Sequence, residues 1–254
     1  MRTQVGIVGA GPAGLTLALL LERAGIESVV LEDRTRDYVE HRVRAGVLEH
    51  GTVDLLREAG VADRLDREGI VHDGIHLQFD GERHRVPLAE LAGDRSIVIY
   101  GQTEVVKDLI AARLESGLPL LFETPVESVD AEHGIIRYTG GEIECDVIAG
   151  CDGFHGICRA SVPDGVLSVY EREFPIGWLG ILAAVAPSMD ELVYTHHERG
   201  FALLSLRSPE LSRYYLQVAH DEDVDEWADE RIWDELRGRT ALEGWTLHDG
   251  PILE

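Results

Sequence analysis

Three kinds of residue or pattern are scarce in this 254-residue chain, and each scarcity excludes something. Cysteine occurs only at 145, 151 and 158, an odd number with no Cys-x-x-Cys spacing. That argues against a disulfide framework and against a zinc site, so a reducing cytoplasm is the expected location and no metal is expected. Positive charge is short: 23 Lys and Arg face 47 Asp and Glu, a formal net charge of −24. A field of that sign repels nucleic acid and anionic membrane surfaces, so neither is an expected partner. Any anionic ligand must instead be captured by clustered arginines. Long apolar runs are missing too. Phe174–Pro187 is too short to span a bilayer, and Gly9, Gly11, Pro12 and Gly14 interrupt the N-terminal run where a signal-peptide core would be helical. There is no internal repeat and no low-complexity tract.

What is present is an ordinary soluble composition, 44% hydrophobic and 28% charged, long enough for one large domain or two modest ones. Its organising stretch is Gln4-Val5-Gly6-Ile7-Val8-Gly9-Ala10-Gly11-Pro12-Ala13-Gly14. An apolar run enters a Gly-x-Gly-x-x-Gly turn, an Ala/Leu-rich helix leaves it through Ala24, and a second apolar run, Val29-Val30-Leu31, ends in Glu32. A glycine-rich turn alone would be weak evidence. With a strand before, a helix after and an acid at the right distance, the spacing predicts a dinucleotide-binding βαβ unit. Gly9 permits the tight turn, Gly11 lets backbone approach a pyrophosphate, and Gly14 lets the helix pack on the strand. Glu32 is placed to accept hydrogen bonds from ribose hydroxyls.

Further along, the pattern predicts a helix over Leu48–Ala59 with Val53, Leu55 and Leu56 on its apolar face, and a hairpin over His72–Leu88 turning at Asp80-Gly81. A strand is expected at Ser96–Tyr100, then a helix N-capped by Thr103 and running to about Ser116. Short strands follow at Leu118–Phe122, Val126–Asp130 and Gly134–Thr139, and a buried strand beginning at Asp146 ends in Asp152-Gly153. From about Val169 aromatic strand-like runs dominate: Phe174–Leu182, Glu191–His196, Gly200–Leu206 and Arg213–Val218. An acidic amphipathic helix is expected near Val224–Arg237, burying Trp227, Ile232, Trp233 and Leu236, and another strand-like run over Trp245–Glu254. The expected architecture is α/β: a Rossmann-like domain over 1–170, with a hairpin insertion at about 72–96, and a β-rich substrate domain over 171–254.

The Gly-x-Gly-x-x-Gly turn, Arg44 after the first βαβ unit and Asp152-Gly153 together resemble the flavoprotein aromatic hydroxylases. Long stretches carry the resemblance: Arg44-Ala45-Gly46-Val47-Leu48-Glu49, Val53 to Val61, Tyr100-Gly101-Gln102-Thr103-Glu104-Val105, Ile148 to Gly156, and Arg199-Gly200-Phe201-Ala202-Leu203. It covers essentially the whole chain and is narrowest towards members acting on a benzoate with a para hydroxyl. The resemblance implies FAD as cofactor, held by Gly9, Gly11, Gly14, Glu32, Arg44, Gly46, Val47, Gln102 and Asp152, with Arg213 steadying the flavin. It implies substrate contacts from Ser205, Arg207 and Tyr215 to the carboxylate and from Tyr194 to the phenol, and places His72 at the solvent end of a proton relay. The implied chemistry is hydroxylation ortho to the phenol, using O2 and NADPH or NADH, through a flavin C4a-hydroperoxide. The NAD(P)H contacts would be Arg34, Tyr38, Arg42, Arg44, His155 and Arg159. Read alone, any one of these arginines could be a solvated surface charge, and strand aromatics are more often core.

Two departures matter. Many NADPH-specific members carry Arg-Gln after the ribose-binding Glu, whereas this chain has Asp33-Arg34, so relaxed nucleotide preference is expected. After Glu254 the family continues with a Gly-Asp-Ala flavin motif, a proline-bearing segment, a second relay tyrosine and a helical region tied to homodimer formation. The 254 residues are therefore expected to supply half of each site and to turn over little on their own. A hydroxylase for another hydroxybenzoate, or a non-catalytic flavin- or benzoate-binding module, remains an alternative.

Overall fold

A computed structural model describes residues Met1–Glu254. The first stretch runs β1 (Arg2–Val8), α1 (Pro12–Arg23), β2 (Ser28–Leu31), α2 (Arg36–His41), β3 (Val47–Glu49), α3 (His50–Glu58) and α4 (Asp63–Glu68). Next come β4 (Ile70–His72), β5 (Ile75–Phe79), β6 (Glu82–Val86), α5 (Leu88–Leu91), β7 (Ile97–Ile99), α6 (Gln102–Glu115), β8 (Leu120–Leu121), β9 (Val126–Asp130), β10 (Ile135–Tyr138) and β11 (Gly141–Gly150). The chain ends with β12 (Ile176–Ala183), β13 (Val193–Thr195), β14 (Ala202–Ser208), β15 (Leu211–Ala219) and α7 (Asp229–Arg239).

These elements form two compact units. The first comprises 1–46, 51–68 and 100–170. Its sheet runs β8-β2-β1-β11-β10-β9, with β8, β2, β1 and β11 parallel and β9–β11 an antiparallel meander. Every residue of β2 is buried, as a strand covered on both faces must be. Val8, Val29, Leu31, Ile136, Ile143 and Cys145 pack one core of this unit.

The second unit comprises 47–50, 69–99 and 171–254. Its main sheet, β12-β15-β14-β13-β5-β6, is antiparallel except where β13 meets β5, and β3-β7-β4 forms a smaller sheet. Alternation in β14 and β15 sorts the side chains. Ala202, Leu204, Tyr214 and Leu216 face a core closed by Trp227, Ile232, Trp233 and Leu236. Tyr214 meets Trp233 edge-on at 5.5 Å. Burying each such large apolar side chain contributes about 2 kcal/mol. The opposite parity, Ser205 and Arg207 with Arg213 and Tyr215, is left for other work.

Several local expectations change. Val47–Glu49 is a strand, so the helix expected from Leu48 begins at His50. Thr103 does not cap α6; Gly101 occupies the N-cap without a side-chain bond. The acidic helix divides into a 3₁₀ turn at Val224–Glu226 and α7 from Asp229, its apolar face as expected. Trp245–Glu254 forms no strand, only isolated bridges at Leu242–Trp245 and Ala183–Ile252. His72 lies in β4, ahead of the hairpin, which spans Ile75–Val86.

Candidate functional site

In the first unit, β1 delivers the chain to Gly9, whose φ of +103° few side chains tolerate. A Cβ at Gly9 would also strike the carbonyl of Cys151, and one at Gly14 the carbonyl of Gly9. Gly11 is different. A Cβ there would meet no protein atom within 4 Å. Gly11 is also the N-cap of α1, with Pro12 following and no side chain capping the helix. The positive end of α1 thus opens on a cleft lined by Gly11, Pro12, Glu32, Arg34, Tyr38, Arg42, Arg44 and Gln102. The donor set and the bare Gly11 fit a dinucleotide pyrophosphate.

Glu32 ties the turn together. Its carboxylate accepts from the Ala10 amide at 2.8 Å and from the Arg34 amide at 3.0 Å. Burial pushes this carboxyl above its ordinary range, with Asp33 adding to the rise and the two amides opposing it. Arg44 and Gln102 come together because the 45–46 backbone is stitched to the next strand end: Ala45 O accepts from Gln102 N and Gly46 O from Tyr100 N, both at 2.9 Å.

The NAD(P)H set is not brought together as one group. Arg34, Tyr38, Arg42 and Arg44 share the cleft above, and the guanidiniums of Arg34 and Arg42 each lie 5.5 Å from the Tyr38 ring centre. Arg34 pairs with exposed Asp33 at 3.4 Å. His155 borders a neighbouring cleft with Gly9, Glu32 and Asp152. Arg159 lines a third with Cys151 and Cys158, its guanidinium 4.7 Å from the Phe154 ring centre. Asp152 accepts from the Cys158 amide at 2.9 Å and packs where a Gly156 side chain would otherwise sit. Burial, then Asp152, pushes the Cys158 thiol up to about 12, so it is not a nucleophile.

Sequence reasoning missed a half-buried network behind α6. Arg64 donates to Asp108 at 2.8 Å, and the Tyr100 hydroxyl donates to the same carboxylate at 2.7 Å. It braces the helix whose first residue is Gln102; only the charge pattern of α4 and α6 hinted at it.

Val47 and Arg213 belong to the second unit, Val47 in β3 paired with Ile99. There Tyr194, Ser205, Arg207, Arg213 and Tyr215 sit on three adjacent strands: Tyr194 faces Leu203 across β13–β14, and across β14–β15 Leu203 pairs with Tyr215 and Ser205 with Arg213. Burial holds the Arg207 guanidinium below its ordinary pKa; the Tyr215 hydroxyl, which accepts a hydrogen bond from it, opposes that shift, while Arg213 adds to it. Arg213 is 8% exposed, and its guanidinium lies 5.2 Å from the Tyr215 ring centre. A buried guanidinium at Arg213 with the half-buried one of Arg207 near it favours an anion there. Burial raises the Tyr194 phenol, so it carries its proton at neutral pH.

His72, expected at the solvent end of a relay, is instead fully buried, and neither ring nitrogen has a hydrogen-bond partner. Its strand position in the small sheet, not its sequence neighbours, decides this. Burial pushes its pKa down against the nearby carboxylates of Glu191, Asp190 and Asp73. His76 is also lowered, by burial first, with Glu191 opposing. A histidine depressed below its unfolded value of about 6.5 contributes stability that is full above that pH and lost as pH falls through it. The melting temperature is therefore expected to drop on acidification below about 6.5. His72→Leu should flatten that slope, and an unchanged slope would refute the assignment.

Comparison with known proteins matches residues 2–244 to the family described as FAD binding domain. The chain is 46% identical, over its full length, to p-hydroxybenzoate hydroxylase of Acinetobacter baylyi, and spans 65% of that protein. It is 29% identical to 6-methylpretetramide 4-monooxygenase of Streptomyces rimosus, covering 68% of this chain and 44% of that one. Among solved structures, p-nitrophenol 4-monooxygenase of Pseudomonas putida superposes with a TM-score of 0.84 at 20% identity, over 100% of this chain and 67% of that one. The last likeness concerns the fold alone.

Proposed function

This chain belongs to the FAD binding domain family, and we propose that it is the flavin- and substrate-binding portion of a 4-hydroxybenzoate 3-monooxygenase. The observation that carries the substrate is the buried Arg213 with the half-buried Arg207 near it, beside Ser205, Tyr215 and Tyr194 on one strand set. In the first unit FAD would be held by Gly9, Gly11, Gly14, Glu32, Arg44, Gly46, Gln102 and Asp152; the other two expected flavin contacts, Val47 and Arg213, belong to the second unit. The chemistry FAD supplies when bound is activation of O2, at the expense of NAD(P)H, for transfer of one oxygen atom to the ring.

This chain's residues then bind, orient and move protons. Arg207 offers a two-pronged pair to the carboxylate, and the Ser205 and Tyr215 hydroxyls supply further hydrogen bonds. Tyr194, kept protonated by burial, donates to the substrate's phenolate oxygen and stabilises the electron-rich form of the ring. The two guanidiniums favour the same anion. His72, buried with neither ring nitrogen hydrogen-bonded, is given no proton-transfer role.

The test is the visible spectrum of the FAD-loaded protein. Adding 4-hydroxybenzoate should shift the flavin band and phenol lacking the carboxylate should not; NAD(P)H with O2 should yield 3,4-dihydroxybenzoate from the intact enzyme and little from these 254 residues alone. Equal responses to both ligands would overturn the reading. The expected product separates this enzyme from hydroxylases of other hydroxybenzoates.

The nucleotide contacts proposed for Arg34, Tyr38, Arg42, Arg44, His155 and Arg159 include one unfavourable neighbour. Asp33 lines the same cleft as Arg34, and a carboxylate there opposes a 2′-phosphate. NADH should be used at least as well as NADPH. Asp33→Gln should move the kcat/KM ratio towards NADPH by about fivefold, the effect of roughly 1 kcal/mol of relieved repulsion. Strong NADPH selectivity in the parent protein would refute this.

A further inference from the structure

We propose that Gly180 is a positioning residue for the substrate array: its missing side chain is what lets Arg213 lie flat beneath Tyr215. The inference rests on the substrate reading above for its consequence, though not for its geometry. Gly180 pairs with Tyr215 across β12 and β15, while Arg213, two residues before Tyr215, shares its face of β15. A Cβ built on Gly180 would lie 2.5 Å from Nη2 of Arg213, 3.2 Å from its Cζ and 3.4 Å from a ring carbon of Tyr215.

Nothing else fixes that guanidinium so closely. Nε and Nη1 of Arg213 are buried without a hydrogen-bond partner, and its ion pair to Glu254 spans 3.8 Å. Packing against the bare Gly180 backbone and the Tyr215 ring therefore selects its conformation. Gly180 does not have a positive φ, so a larger residue meets no backbone strain there. The obstructed atoms are the far end of a flexible side chain. Alanine at 180 thus displaces Arg213 rather than the strand, and Tyr215 loses the cation that holds its ring. Because the Tyr215 hydroxyl accepts from Arg207, the disturbance reaches the carboxylate receptor in two steps.

The experiment is a double-mutant cycle on the full chain loaded with FAD, reading the Kd for 4-hydroxybenzoate in the parent, Gly180→Ala, Arg213→Ala and the double variant. Gly180→Ala should weaken binding about tenfold in the parent and less than about twofold in the Arg213→Ala background. Its melting temperature should match the parent's. Equal losses in both backgrounds would mean a general structural defect, and no loss in the parent would mean that the glycine positions nothing; either overturns the proposal. A second readout needs no ligand. The Arg213 Nε–H resonance, identified by its disappearance in Arg213→Lys, should exchange slowly in the parent and rapidly in Gly180→Ala; unchanged exchange overturns the proposal. Failure of the parent to bind 4-hydroxybenzoate would sink the substrate reading, and the exchange measurement would still decide the role of Gly180.

Discussion

Replacing Arg207 by Ala is expected to weaken 4-hydroxybenzoate binding by roughly 10²–10³-fold while leaving the melting temperature unchanged or slightly raised. The first half follows from what a carboxylate loses. A buried two-pronged guanidinium pair is short, strong and poorly screened, and truncating one partner of such a pair costs about 2–5 kcal/mol. Ser205 and Tyr215 cannot compensate, because neutral hydroxyls supply hydrogen bonds without charge. The second half follows from the neighbours. Arg207 is desolvated, with Arg213 nearby lowering its pKa further, so the ligand-free protein holds two cations that repel. Removing one relieves that repulsion and offsets the packing lost with the side chain. Arg207→Lys should recover part of the affinity, since it restores charge without the planar fork. A visible-band titration of the three proteins decides it: a loss below about fivefold for Arg207→Ala would place the carboxylate elsewhere.

What could be read in the sequence depended on how local the determining interactions are. The turn from Gly9 to Gly14 and the acid at 32 are set within one βαβ unit, and the fold has that unit: a parallel β1–β2 pair joined by α1, with Glu32 bonded to Ala10. The strand runs Gly200–Leu206 and Arg213–Val218 and the buried face of α7 were equally visible, but not which strand residues, Leu204, Tyr214 and Leu216 among them, face the core. The reach of the 69–99 segment was not. Its place in the second unit depends on a parallel pairing of β5 with β13, more than a hundred positions apart, which no local pattern encodes. The burial of His72 has the same origin: β4 is an edge of a small three-stranded sheet whose members are scattered through the chain. Thr103 failed as a cap because Gly101 O already accepts from Glu104 N and Val105 N, starting the helix two residues earlier. For the candidate site, the residue types alone said little. Tyr194, Ser205, Arg207 and Tyr215 drew meaning from the family resemblance, and their shared strand set gives that meaning a physical basis without showing what binds there.

Substitutions at Gly11 and Gly14 should fail in opposite ways, and the contrast isolates cofactor binding from folding. Gly11→Val adds atoms where the protein has none within 4 Å of the new Cβ, on a backbone with φ of −75° that any residue adopts. The fold should therefore persist with an unchanged melting temperature. The added side chain points into the cleft at the uncapped end of α1, where a pyrophosphate would approach the first-turn amides. Losing two charge-assisted hydrogen bonds there costs about 3–6 kcal/mol, so FAD affinity should fall by at least roughly 10²-fold. Gly14→Ala does the reverse. Alanine favours a helix by about 1 kcal/mol over glycine, yet its Cβ would collide with the Gly9 carbonyl, which is backbone and cannot rotate away. Separation of α1 from the turn should then lower the melting temperature of the FAD-free protein first, with cofactor loss following from it. Thermal melts without FAD and fluorescence titrations with it distinguish the two. If Gly11→Val melts early, or binds FAD like the parent, the pyrophosphate does not sit at this helix end and the cofactor assignment built on it is wrong.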